Sequence, residues 1–76
     1  MEVGTILLDQ LLVVSESSRE LICTFLAEDG EHKVTIDKRT VGWTHESPRG
    51  DHFIGIGLQR LQVVLAHYGA RKPTIN

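Results

Sequence analysis

The sequence predicts an α+β domain in which three or four antiparallel strands carry one C-terminal helix packed across one face. Three observations indicate this class. They are an apolar stripe at helical spacing near the carboxyl end, an Asp29-Gly30 dipeptide between two strand-like runs, and a polar loop ahead of the helix. A chain of 76 residues can bury one small core, so residues 1–76 are expected to form a single domain with a frayed tail at 73–76.

The first apolar run, residues 5–14, is compatible with two structures. Its leucines have helical spacing, whereas its alternate apolar side chains are typical of a strand. We favour a strand because the run is short, ends in Val13 and Val14, and stops at the polar residues 15–18. Residues 19–27 present the same choice, since Ser17 and Glu20 would make a capping box for a helix.

Asp29-Gly30 favours the strand interpretation of residues 19–27. The dipeptide separates that run from Lys33–Ile36, and Asp-Gly between apolar runs is a strong hairpin signal. A helix ending at Gly30 stays the alternative. Residues 40–44 are again strand-forming, and residues 45–52 are rich in Pro, Gly and Ser, which predicts a loop.

Residues 54–69 predict the helix. Gly69 supplies a left-handed stop, and Pro73 follows it. Because Gly55 and Gly57 are poor helix formers, the regular helix is expected to begin near Gly57 or Leu58. Leu61, Val64 and Leu65 are expected to pack on the sheet. The apolar stripe consists of Ile54, Leu58, Leu61, Leu65 and Tyr68.

Composition predicts the cellular compartment of the protein. Cys23 is the only cysteine, so no disulfide forms within the chain, and a reducing cytoplasm is expected. No apolar leader follows Met1, and no apolar run is long enough to span a bilayer, so neither targeting nor membrane insertion is predicted.

No residue pattern predicts catalysis, a metal or another cofactor. His45, Asp51 and His52 are the closest group of candidate metal ligands, but they lack the spacing of a zinc site. Ser47 lies in no nucleophile-elbow context, and Cys23 lies within an apolar run where a small core residue is expected. A non-enzymatic protein is therefore predicted.

The net charge of −2 conceals an asymmetry between the two halves. Residues 1–31 carry seven acids and one base, a charge of −6, whereas residues 32–76 carry seven bases and three acids, a charge of +4. A basic face with Trp43 or Tyr68 to stack a base would suit a nucleic-acid-binding accessory protein. That function is the alternative, since the whole chain is acidic and shows no recognition motif.

Trp43 is the leading candidate for contact with a partner. A lone tryptophan beside a polar loop is a frequent interface anchor, although a core position is equally compatible with the sequence. The neighbouring loop adds His45 and Arg49, and the helix adds Arg60, so these four residues form the predicted partner-binding set.

Residues 55–66, with Leu58-Gln59, Leu61-Gln62 and Leu65, resemble the closing helix of a family of small uncharacterised bacterial domains. The resemblance implies strands followed by a C-terminal helix and implies no activity. Together these observations predict a protein-binding module. We expect a small regulator or stoichiometric inhibitor of a larger protein, as in phage or bacterial conflict systems, and self-association through a sheet edge is a further expectation.

Overall fold

A computed structural model of the chain describes residues 9–73. Five strands form one antiparallel sheet in the order β1-β2-β3-β4-β5, and a single helix follows them. The strands are β1 (Leu12–Glu16), β2 (Glu20–Ala27), β3 (Gly30–Asp37), β4 (Gly42–Glu46) and β5 (His52–Ile56), and the helix is α1 (Leu58–Tyr68). The predicted α+β class is confirmed, but the predicted count of three or four strands is wrong.

The prediction for residues 5–14 is tested only in part, because residues 1–8 lie outside the described part of the chain. Asp9 and Gln10 are helical, and β1 begins at Leu12 and continues through residues that we had assigned to a turn. The strand lengthens because a bulge between Val13 and Ser15 lets it stay paired with β2.

The predicted hairpin between β2 and β3 is present. Ala27 pairs with Gly30 across a turn made by Glu28 and Asp29, and Gly30 has a φ of 125° that favours glycine. Alternate side chains of both strands are buried, as a sheet covered on one face requires.

The fifth strand, β5, is absent from the prediction. The sequence predicts one loop over residues 45–52 and places Ile54 in the helical stripe. The loop is shorter than predicted: β4 continues to Glu46, and β5 starts at His52 and pairs along its whole length with β4. Ile54 therefore lies in a strand. The predicted helix start is confirmed, since α1 begins at Leu58 after Gly57, which has a φ of 96°.

The helix lies across the inner face of the sheet and ends as predicted at Gly69, which is left-handed. Leu61 and Leu65 are fully buried against the sheet core. After the helix, Arg71 pairs with Leu26 of β2 through two backbone hydrogen bonds of 2.8 and 2.9 Å. The core consists of Leu11, Cys23, Phe25, Ala27, Val34, Ile36, Trp43, Leu61, Leu65 and Ala70, with His32 and His45 buried among them.

Candidate functional site

The four residues of the predicted partner-binding set do not form one patch. Trp43 and His45 face the interior from β4 and are 5% and 1% exposed. Arg49 lies in the turn that joins β4 to β5, and Arg60 lies in the first turn of α1, so the two exposed arginines flank opposite ends of β5. The structure thus places two of the four residues where a partner can reach them directly.

Trp43 occupies the core position that the sequence left open as its second interpretation. Its indole Nε1 donates a 3.0 Å hydrogen bond to the carbonyl oxygen of Gly57, at the start of the helix. The ring lies over Gly55 of β5 so closely that a Cβ atom there would be 2.2 Å from Cζ2 of the indole. Trp43 therefore fixes β5 relative to the start of α1.

The interior of the sheet holds a hydrogen-bonded chain of three polar side chains, the Asp29–His32–His45 chain. Nε2 of His32 lies 2.7 Å from Oδ1 of Asp29, and Nδ1 of His32 lies 2.7 Å from Nε2 of His45. Both histidines are fully buried, whereas the Asp29 side chain is 41% exposed in the β2–β3 turn. The Asp29–His32–His45 chain therefore connects a solvent-exposed carboxylate to a buried imidazole.

Strand geometry explains why these groups meet. His32 alternates with Val34 and Ile36 on the inner face of β3, and Val34 pairs with His45 of β4, so the two imidazoles are diagonal neighbours. The ring of His32 stacks on Phe25 with centroids 4.6 Å apart, which provides an apolar support for the pair.

The surroundings of Asp29, His32 and His45 determine which of their atoms carry hydrogens. The hydrogen bond from His32 holds the pKa of Asp29 below its usual value, so this carboxylate is ionised and accepts a hydrogen bond from Nε2–H of His32. Burial and the nearby His32 ring lower the pKa of His45, which favours its neutral form. With both rings neutral, Nδ1 of His32 accepts from Nε2–H of His45, and Nδ1 of His45 is left with a lone pair.

Folding stability is expected to decrease as the pH falls from about 7.5 to about 5.5. The pKa of His45 is lower in the folded chain than the ordinary value of 6.5, so the unfolded chain binds the proton more readily below that pH. Urea unfolding at both pH values measures the change. His45→Leu should have a flatter dependence on pH, and an identical dependence in both proteins would contradict the assignment.

Exposed apolar side chains lie on both faces of the edge strand β5 and on the helix. Phe53, Ile54 and Ile56 of β5 are 44%, 83% and 68% exposed, and Val63 of α1 is 69% exposed. We call these four residues the β5 edge surface. Exposed apolar patches of this kind mark interaction sites more often than isolated exposed residues do.

A groove runs between β5 and the helix, with a volume of about 810 Å³. We call it the β5–α1 groove. Trp43, Ile54 and Gly55 line the groove from the sheet. The helix contributes Gln59, Arg60, Gln62, Val63, Val64 and Ala66. The groove is therefore apolar along its centre and polar where the glutamines and Arg60 border it.

The candidate catalytic and metal groups are not assembled as a reaction site. His45 faces the interior, whereas His52 lies on the opposite face in register with Glu46, and the described residues contain no group of three or more potential ligands placed around a metal. The Ser47 hydroxyl accepts hydrogen bonds from the backbone of its own turn. Burial raises the pKa of the Cys23 thiol, which disfavours the reactive thiolate.

The basic side chains are dispersed over the described surface. Lys38 forms an ion pair with Glu16 at 2.6 Å, and Arg39 lies in the β3–β4 turn. Of the two residues predicted to stack a base, Trp43 lies in the core and Tyr68 is partly buried against it. Nucleic-acid binding therefore stays a prediction. It would be recognised by an affinity for single or double strands that falls steeply with salt.

Three features of this region were missed from the sequence: the pairing of His32 with Asp29, the pairing of His32 with His45, and the exposed β5 edge. The alternation of His32 with Val34 and Ile36 was a usable signal, since it puts an imidazole on an apolar face. A buried imidazole on a strand requires a hydrogen-bond partner, and that requirement points to Asp29 in the adjacent turn.

No helix in the described residues is long and apolar enough to cross a membrane. The resemblance to a family of small bacterial domains stays a prediction. Comparisons with protein-family models, with curated proteins and with solved structures find no match to this chain, so its function is inferred from its own geometry.

Proposed function

We propose that this chain is a protein-binding module that accepts an extended segment of a larger protein along the free edge of β5. The observation that carries the proposal is the β5 edge surface. Three of the five side chains of this edge strand are large, apolar and exposed. Ile54 and Ile56 lie on the outer face of the sheet, and Phe53 lies on the inner face, where Val63 of the helix lines the same cavity.

The backbone of β5 supports strand addition. Among residues 9–73, β5 pairs with β4 on one side and with no strand on the other, so that side presents N–H and C=O groups to which a strand can bind. Edge strands are commonly protected by lysine, proline or a bulge, and none of these occurs within His52–Ile56. Binding by strand addition uses such free groups for affinity and uses side-chain pockets for specificity.

The opposite edge strand of the sheet, β1, differs from β5 by a bulge and by a bound lysine. β1 contains a bulge between Val13 and Ser15, and its last residue, Glu16, is held by Lys38. Both features disfavour the addition of another strand. The two edges of the same sheet therefore differ in their capacity for pairing, and β5 is the edge suited to a partner.

The β5–α1 groove provides a second wall for the bound segment. A strand laid along β5 would place its inward side chains against Val63 and Val64, while Arg60 and the glutamines border the contact. An apolar centre with a polar rim is the usual anatomy of a protein interface. Of the predicted set, Arg60 borders the groove from the helix, and Trp43 lines it from the sheet.

A module with one such edge binds one partner segment per copy, which suits a small regulator or a stoichiometric inhibitor. The partner that the geometry favours carries a short β-forming segment with alternating apolar residues and an acidic residue able to meet Arg60.

Selection of peptides tests the proposal. A display library of random segments of about ten residues is selected on the wild-type chain, and the amide signals of the labelled protein are followed during titration with a selected peptide. We expect the shifts and the new protection from exchange to concentrate on residues 52–56 and on the helix beside them. Ile54→Lys should weaken binding at least about tenfold, because a buried lysine opposes apolar contact.

Val14→Lys is the matched control, since Val14 is an exposed apolar residue on the opposite edge strand. It should bind the selected peptides as the wild type does. Equal binding by Ile54→Lys, or shifts confined to β1, would refute the proposed edge. Sedimentation of the free protein tests for self-association. A dimer that Ile54→Lys dissociates would show that the strand partner is a second copy of this chain, which would contradict the proposal of a different protein as partner.

A further inference from the structure

A cavity of about 410 Å³ lies inside the mouth of the β5–α1 groove, next to the buried histidine pair. We call it the His45 cavity. Aromatic and aliphatic side chains form most of its wall: Trp43, Phe53, Val63, Val64 and Tyr68 surround His45. Its volume is within the range of about 300 to 1,000 Å³ that is usual for sites that bind small organic groups.

His45 offers a hydrogen-bonding atom to this cavity. Its Nε2 is used by His32, and no described side chain or backbone group pairs with its Nδ1. In the described part of the chain, the fully buried side-chain polar atom without a partner is Oγ1 of Thr24, so Nδ1 of His45 keeps access to the cavity that its ring lines. An unpartnered nitrogen of a buried imidazole that lines a cavity thus points to a ligand group that pairs with it.

We propose that the His45 cavity binds an aromatic ring bearing an N–H donor, the indole of a tryptophan in the partner segment, which donates to Nδ1 of His45. This inference rests on the proposed function, since the cavity and the groove share Trp43, Ile54, Val63 and Val64. A strand added to β5 would direct an inward side chain under the helix, where the cavity opens.

The donor must come from another molecule. The chain contains one tryptophan and one tyrosine, and both already form the wall of this cavity. A second copy of the chain therefore has no indole or phenol to insert. The chemistry of the cavity thus selects a different protein as the source of the ring.

The Asp29–His32–His45 chain sets the direction of the hydrogen bond. When both rings are neutral, the carboxylate orients His32, His32 orients His45, and Nδ1 of His45 accepts. Wherever one added proton resides in the pair, Nδ1 of His45 becomes a donor. A doubly protonated His45 carries a hydrogen there, and a neutral His45 that accepts at Nε2 from its neighbour also holds its own hydrogen on Nδ1. An indole N–H has no lone pair to meet that donor, so acid is expected to abolish the preference for it.

Other titratable and charged groups near the pair belong to α1 and to the β4–β5 turn. Tyr68 of α1 contacts both imidazoles, with ring centroids 4.8 Å from His32 and 5.3 Å from His45, and His67 of α1 borders the cavity. Arg49, in the β4–β5 turn, acts on Asp29 through its charge. The ring signals of His45 are therefore followed directly, so that a proton-linked change at the pair is distinguished from one at these neighbouring groups.

Two ring compounds that differ by one group provide the test. Indole and benzofuran have the same fused-ring shape, but benzofuran has an oxygen where indole has its N–H. Each is titrated into the isotope-labelled full chain, and the ring signals of His45 are recorded. At about pH 7.5 we expect indole to bind at least about tenfold more tightly than benzofuran, as the loss of one buried hydrogen bond predicts. At about pH 5 the preference should disappear.

His45→Leu supplies a second comparison, and its fold is first checked by its amide spectrum. The variant should bind indole and benzofuran equally. Equal binding of the two compounds by the wild type at neutral pH, or signals that move only outside the cavity, would overturn the assignment. That outcome would refute the indole site and would not affect the peptide-binding result. Conversely, equal peptide binding by Ile54→Lys and the wild type would refute binding at the β5 edge and would not affect a measured preference for indole.

Discussion

Leu65→Ala is expected to lower the free energy of unfolding by about 2 to 5 kcal/mol, the range for removing a large aliphatic side chain from a packed core. Leu65 is completely buried between α1 and the inner face of the sheet. Small domains have a total stability of only about 5 to 15 kcal/mol, so this substitution should remove a large part of it. Chemical denaturation followed by circular dichroism measures the loss.

Val63→Ala is the matched control for that substitution, because Val63 lies on the same helix and is 69% exposed. Its effect on stability should stay within about 0.5 kcal/mol. Equal losses in the two variants would mean that the helix does not rest on the sheet through the face that the structure assigns to it.

Gly55→Ala is expected to be the second most damaging change, with a loss of about 3 kcal/mol, at the upper end of the cost of overpacking a core. The new Cβ atom would be 2.2 Å from Cζ2 and 2.6 Å from Cη2 of Trp43, so the indole or β5 must move. Movement of the indole would also break its hydrogen bond to the Gly57 carbonyl. A red shift of the tryptophan fluorescence should accompany the loss of stability.

Gly42→Ala provides the comparison for this effect within the same pair of strands. Gly42 lies in β4 opposite Ile56, and the nearest atom to an added Cβ is the Thr40 hydroxyl at 3.2 Å. We expect a loss below about 1 kcal/mol and an unchanged emission spectrum. A Gly55→Ala variant as stable as Gly42→Ala would show that Trp43 does not lie over β5.

The hairpins were predictable because their signals are local. Asp29-Gly30 and the alternation on either side of it are properties of adjacent residues, and they identify β2 and β3 directly. The buried Leu61 and Leu65 were predictable for the same reason, since helical spacing identifies them without reference to the rest of the chain.

The fifth strand was not predictable by such local reasoning. Ile54 is four residues before Leu58 and so continued the helical stripe, whereas its true environment depends on the pairing of β5 with β4. Gly55 was interpreted as a weak helix residue, although its role is to make room for the Trp43 ring. That contact joins residues twelve positions apart, and no local pattern contains it.

The site itself was predictable only in part. Alternation alone could have placed His32 and His45 on inner faces, but bringing them within 2.7 Å requires the register of β3 against β4. Arg49 and Arg60 were correctly interpreted as exposed groups, since both are charged residues at the ends of apolar elements. Their separation by the length of β5 depends on the strand that the sequence did not reveal.

The positions of the hydrogens on the two imidazole rings test the central claim, that the Asp29–His32–His45 chain, with both imidazoles buried, presents a hydrogen-bond acceptor to the His45 cavity. Long-range proton–nitrogen correlation spectra of the labelled chain at about pH 7.5 distinguish the two neutral forms of each ring. The structure predicts that His32 and His45 both carry the proton on Nε2, with Nδ1 of His45 bare. A proton on Nδ1 of His45, or rapid averaging of both rings between the two forms, would contradict it.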